Sequence, residues 1–207
     1  MKRTLLVLFC LTMMAGSGFA QQLGLKGGAT YTTFNGADAE DYKYRVGYTG
    51  GFFLQRHISN LVGVQVEALY TSKGARRETL VAGNLIADEF RLNYIDVPVL
   101  LHLSASGLFF DLGPQVSFIS KAKHVKEVTS DSGNKTVITK TEITDHPYTI
   151  DFGYVGTVGY RAGNGLGLEV RYTGGLKKID DEGAYVNLER RNSGFSLMLS
   201  YMLGHSR

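Results

Sequence analysis

The chain is predicted to be all-β: an eight-stranded antiparallel up-and-down transmembrane β-barrel with short periplasmic turns and long extracellular loops. Three observations predict it. Eight segments alternate apolar and polar residues, and the connections between them are alternately short and long. The composition, 26 Gly, 12 Tyr and 11 Phe against three Pro and no Trp, is that of sheet rather than helix.

The first element lies outside the fold. Residues 1–20, MKRTLLVLFCLTMMAGSGFA, read as a secretory signal peptide. Lys2 and Arg3 are its basic start, Leu5–Met14 its apolar centre and Gly18-Phe19-Ala20 its small-x-small cleavage site. The apolar run is too short for a membrane helix. The remaining residues, 21–207, form one domain. Cys10 is the chain's one cysteine, so that domain has no disulfide and no thiol chemistry. The 22 basic residues, less Lys2 and Arg3, face 19 acidic ones. This near-neutral balance, without a basic patch interleaved with aromatics, gives no support for nucleic acid binding.

The eight segments follow in order. In a strand successive side chains point to opposite faces. The first apolar face is Leu23, Leu25, Gly27, Ala29 and Tyr31, and the second Val46, Tyr48, Gly50, Phe52 and Leu54. The third is Val62, Val64, Val66, Ala68 and Tyr70, the fourth Ile95, Val97, Val99 and Leu101. Leu108, Phe110, Leu112, Pro114, Val116 and Phe118 are the fifth; Ile150, Phe152, Tyr154, Gly156, Val158 and Tyr160 the sixth. Leu166, Leu168, Val170, Tyr172 and Gly174 make the seventh, and Phe195, Leu197, Leu199, Tyr201 and Leu203 close the set. Each segment is close to the roughly 9–11 residues a tilted membrane strand needs.

None of these faces carries a charge, whereas the opposite ones carry Lys26, Arg45, Glu67, Lys73, Asp96, Asp111, Asp151, Arg161, Glu169 and Arg171. Arg56–Asn60, Ser104–Gly107 and Ala162–Gly165 are the short turns. The long loops fall near 35–43, 72–91, 121–148 and 176–192. That layout is the one outer-membrane barrels use, and it puts both termini on the periplasmic side. Alternation resumes around Asp131-Ser132-Gly133-Asn134, so strands five and six are expected to continue as a hairpin above the membrane. A second such hairpin is expected around Gly83-Asn84.

A soluble lipocalin-type barrel would alternate too, with its apolar face inward. The aromatics argue against it. Tyr31, Tyr48, Tyr70, Phe118, Phe152, Tyr172 and Phe195 gather at one level, and Phe110, Tyr160 and Tyr201 at the other, like two interfacial girdles. The charged face is also balanced, five acids against five bases, as an enclosed interior requires. Glu67 is therefore expected to point inward and to meet Arg171 and Lys26. Asp96, Asp111, Asp151 and Glu169 are expected to complete one structural interior network, a salt-bridge plug rather than a proton or ion path.

EALYTSKGA at 67–75, LNYIDVPVLLH at 92–102, FFDLGPQVSFI at 109–119, IDFGYVGTVGY at 150–160 and LEVRYTGGLKKI at 168–179 together resemble the PorT-like outer membrane β-barrel family of Bacteroidetes-type bacteria. The resemblance implies a Gram-negative outer-membrane barrel, most of whose relatives have no assigned activity. Its founding member belongs to a secretion and gliding apparatus. Asp96 stands where relatives often show Glu.

Ser72, Ser120, His124 and His146 could serve a lipid A-modifying rim enzyme, but a Ser–His pair needs contact and an orienting acid, and no acid is evident for either His. His57, His102 and His205 are expected to be solvated at the periplasmic end. No metal ligand set is spaced for a transition metal, and Asp180-Asp181-Glu182 reads as a solvated acidic turn rather than a cation loop. Gly24, Gly27 and Gly28 precede no helix and are no nucleotide loop. Asn134-Lys135-Thr136 is a glycosylation match without meaning in this compartment. The expectation is a non-enzymatic cell-envelope protein of the outer membrane, monomeric, without cofactor. Its partners would be outer-membrane lipid and lipopolysaccharide, met by Lys121, Lys123, Lys126, Lys135 and Lys140 of the third loop, and an envelope protein. A narrow transport channel or a secretion-apparatus component is the alternative.

Overall fold

The computed structural model describes residues 21–81, 83–129, 136–144, 147, 149–180 and 187–203. The signal-peptide reading of 1–20, the 131–134 turn, the start of the 134–136 motif, Lys135, His146, Asp181, Glu182 and His205 lie outside the described residues.

Strands β1 (Gln21–Asn35), β2 (Lys43–His57), β3 (Val62–Val81), β4 (Asn84–Ala105) and β5 (Leu108–Thr129) are followed by β6 (Thr136–Glu142), β7 (Ile150–Arg161), β8 (Leu166–Gly175) and β9 (Arg191–Leu203). All pairings are antiparallel. The order is β4-β3-β2-β1-β9-β8-β7-β5, and the β4–β5 pairing closes the eight strands into a ring. β6 pairs outside the ring, on β5 alone among the strands. The sixth, seventh and eighth segments of the sequence are therefore β7, β8 and β9.

The tight turn between β4 and β5 uses Ser106 at φ 51° and Gly107 at φ 85°, the left-handed pair that a two-residue hairpin joining right-twisted strands demands. At the other end β3, β4 and β5 run for 20, 22 and 22 residues, about twice what a membrane crossing needs. Their excess forms a sheet beyond the ring, with Val81 paired to Asn84 across the tip. The expected hairpin at Gly83 is present. The second extension differs in part: β6 ends at Glu142 and does not run on into β7. There Ile143 turns inward, its N–H held by the Ala122 carbonyl at 3.0 Å.

The apolar faces point out of the ring, with Leu112 64% and Leu197 54% exposed. The enclosed face is less uniformly polar than its charges suggest. Phe53, Leu69, Leu100, Phe109, Met198 and Met202 are buried inside with the ions. At the short-turn end the Phe53 and Phe109 rings fill space left by glycines; a Cβ on Gly24 or Gly159 would lie 2.2 or 2.3 Å from them.

At the long-loop end the polarity of the two faces exchanges. On β4 the inward residues above Asp96 are Tyr94, Leu92 and Phe90, all buried, while Asn93, Arg91 and Glu89 face outward. Together with Phe34, Tyr42, Ile143 and Ile179 they make an apolar cap. The reason is solvent: once the strands leave lipid their outer face meets water, and apolar groups gain only by turning inward.

Candidate functional site

The interior is built from side chains that alternation forces inward. Lys26 of β1, Glu67 of β3, and Glu169 and Arg171 of β8 meet near the middle of the ring. Lys26 Nζ donates to Glu67 at 2.9 Å and to Glu169 at 3.0 Å. Arg171 grips Glu67 with two bonds of 2.6 and 2.7 Å, donates to Thr157 at 3.1 Å and reaches Glu169 at 3.4 Å. Gln65 adds a fourth donor to Glu67 at 2.7 Å. The Lys26, Glu67 and Glu169 side chains have no exposure at all. Two cations and two carboxylates thus balance, with the two-pronged guanidinium geometry that makes such pairs strong.

The other three acids expected in one network occupy separate places. Asp96 accepts from Lys73 at 2.8 Å, beside Ser117. Asp151 accepts from Asn192 at 3.1 Å, and Asn192 also reaches the Tyr94 hydroxyl at 3.3 Å. Asp111 is hydrogen-bonded to His102 at 2.5 Å. His102 is therefore not solvated: it is 1% exposed, because position 102 shares the inward face of Leu100 and the packing continues down to the turns. His57 is exposed, its ring edge-on to His102. The space between the central ions and the cap, lined by Thr30, Thr71, Lys73, Asp96 and Asn192 among others, measures about 20 Å³, room for about one water.

One buried ion in the cap has no counterpart in the sequence-based network. Arg190 donates to Asp180 and to the Tyr42 hydroxyl, and its guanidinium lies 5.2, 5.4 and 5.1 Å from the Phe34, Tyr42 and Phe90 ring centres. Asp180 is thus buried rather than part of a solvated turn. Both residues come from the last long connection, where strand periodicity carries no information.

Two rim expectations also change. His124 does have an acid beside it: its Nε2 lies 2.8 Å from Asp88 Oδ1, and its ring stacks on Phe90 at 4.6 Å. The pair arises because β4 and β5 remain in register above the ring. Ser72, however, is buried and taken by Arg45 at 3.2 Å, while Ser120 is exposed at the irregularity in the β4–β5 register. Above the lipid band Glu89 accepts from Arg45 at 2.6 Å and Arg91 at 2.8 Å. Burial pushes its carboxyl up, but the hydrogen bonds from Arg91 and Arg45 outweigh this and hold it below the usual 4.5. Among the described residues no three metal-capable side chains converge.

A closed antiparallel ring, apolar outside, with neutralised ions inside, defines a transmembrane β-barrel with a filled interior. The chain belongs to the outer membrane protein beta-barrel domain family, whose profile matches residues 19–181, and is an outer-membrane protein. Of solved structures, Neisserial surface protein A (NspA) is similar at 12% identity, covering 88% of this chain and 98% of that one with a TM-score of 0.51. Ail, the attachment invasion locus protein of Yersinia pestis, is 11% identical over 88% and 98%, TM-score 0.45. CarO of Acinetobacter baumannii is 9% identical over 84% and 96%, TM-score 0.43. At these identities the likeness to NspA shows the fold alone. No curated protein matches the chain.

Proposed function

We propose that the protein is a closed, non-enzymatic outer-membrane barrel that acts through its long-loop surface, as a monomer and without a cofactor. The observation that carries this reading is the fully enclosed Lys26–Glu67–Glu169–Arg171 cluster, which fills the lumen where a channel would need water. The long-loop end faces the exterior and both termini the periplasm, after removal of residues 1–20. Short turns at the terminal end and the sheet extension at the other support that orientation.

The outward surface binds lipopolysaccharide phosphates or an acidic envelope protein through Lys121, Lys123, Lys126 and Lys140, with Lys135. Exposed lysines at 123 and 126 support this; a basic patch raises the local concentration of anionic partners. The resemblance to PorT-like relatives supports an envelope setting of the same kind, with a secretion-apparatus component as the alternative. Planar-bilayer recording tests the closed lumen: no steady conductance is expected, and steady ion current through the wild-type barrel would refute it. Replacing Lys123, Lys126 and Lys140 with Gln should weaken binding to lipopolysaccharide vesicles; undiminished binding would remove the basic loop from the proposal.

A further inference from the structure

On the outer wall a recess of about 230 Å³ opens to the lipid, lined by Ala29, Tyr31, Val46, Val170, Phe195 and Leu197. It arises from register. Ala29 lies between Leu197 on one neighbour and Tyr48 on the other, so a single methyl stands where larger side chains surround it. The walls are aromatic and braced. Tyr31 stacks on Tyr44 with centroids 4.4 Å apart and planes 7° apart, and Phe195 leans on Tyr172 at 5.1 Å. Above the recess, on the same face of β9, stands Arg191, four residues beyond Phe195 and so about 13 Å further along the strand. Arg191 forms no ion pair among the described residues, and its Nε is buried without a hydrogen-bond partner. The residue paired with the half-buried Arg191 across the seam is Asn35, exposed and uncharged.

We propose that this seam of β1 and β9 is a specific site for a phosphorylated acyl lipid of the outer leaflet. Arg191 takes the phosphate of the lipid A headgroup, and one acyl chain lies in the recess over Ala29. Three features select this occupant. The recess is apolar and opens sideways into hydrocarbon, so its natural filling is a chain. The unpartnered guanidinium sits just above the aromatic level, where headgroups lie, and its donors fit a phosphate. The recess and the cation share one strand, so one molecule spans both. The inference rests on the long-loop end facing outward. It is independent of the basic third loop, which lies across the ring at the β4–β5 seam.

The test is native mass spectrometry of the barrel released from phosphatidylethanolamine nanodiscs containing diphosphoryl lipid A. The wild type should retain one lipid A, and dephosphorylated lipid A should be retained much less. Arg191→Gln should lower retention about fivefold, the effect of one cation near a membrane surface, and Ala29→Leu, which fills the recess with lipid-compatible bulk, by a similar factor. Arg191→Lys should keep most of it. Heat-modified gel migration verifies that each variant is folded. Wild-type retention in both Arg191→Gln and Ala29→Leu, or equal retention of the dephosphorylated lipid, overturns the site. Loss of the adduct only on replacing Lys121 and Lys123 also overturns it, leaving the third-loop reading standing; an adduct indifferent to those lysines but lost with Arg191 and Ala29 supports it.

Discussion

Glu67→Gln is the substitution that most directly probes the interior. It changes almost no volume, but Glu67 accepts from Arg171 twice, from Lys26 and from Gln65. Removing its charge leaves Lys26 and Arg171 facing Glu169 alone, one cation in excess, at a place with no exposure for Lys26, Glu67 or Glu169. An uncompensated buried charge of this kind costs about 3–5 kcal/mol. The compensating change is Lys26→Met, which restores neutrality and fills the vacated length with an apolar chain. The double variant should therefore recover most of the loss, since replacing a buried pair by apolar groups is often near neutral. Urea unfolding of the barrel in lipid vesicles, followed by circular dichroism because the chain has no Trp, measures all four corners of the cycle. A Glu67→Gln loss below about 1 kcal/mol, or a double variant no better than the single, would refute the view that charge balance holds the interior together.

Three further outcomes are expected. Leu112→Arg, on the lipid-facing wall, should cost about 2–4 kcal/mol by the same unfolding assay, the depth-dependent cost of a charge at the bilayer midplane. Leu80→Arg at the equally open tip of β3, 74% exposed, should change it by no more than about 0.5 kcal/mol; equal losses would contradict the assignment of lipid and water levels. Arg190→Met should loosen the cap while sparing the barrel, seen as faster proteinase K cleavage between 176 and 190 with unchanged heat-modified migration. For Glu89, a depressed folded value means that its ion pairs contribute fully above the unfolded value near 4.5 and are lost as pH falls through the folded one. Hydrogen exchange along 84–92, corrected for intrinsic rates, should thus lose protection on acidification, and Glu89→Gln should flatten that dependence.

Alternation alone reveals the ring because a barrel in lipid has one rule per face and eight strands repeat it. It also places Glu67 against Lys26 and Arg171, since the facing positions of a narrow ring are few. Partner choice among the remaining acids was not legible: Lys73 rather than the central cluster holds Asp96, which depends on height along the barrel. His102 was misread for a related reason, its nearness to the turn suggesting water where Asp111 and Phe109 close over it. The cap had a signal in Tyr94, Leu92 and Phe90, three inward positions in a row without a charge, just where Asn93 and Arg91 turn the outward face polar. Arg190 and Asp180 had none, because both lie outside any strand, where alternation says nothing of partners.

The central ions and the apolar cap depend on one another. Four charges in a wet lumen would be screened, their pairing worth little more than a surface bridge. The cap at the loop end, and Phe53 and Phe109 at the turn end, keep water from them, which strengthens each pairing and makes any unpaired member costly. The cap in turn needs a rigid ring beneath it, since Phe34 rises from β1, which the cluster joins to β3 and β8, and Phe90 and Leu92 rise from β4, which is paired to β3. With the interior closed in this way, the two proposed binding surfaces are those the core leaves free: the sheet above β3–β6 and the lipid-facing wall at the β1–β9 seam.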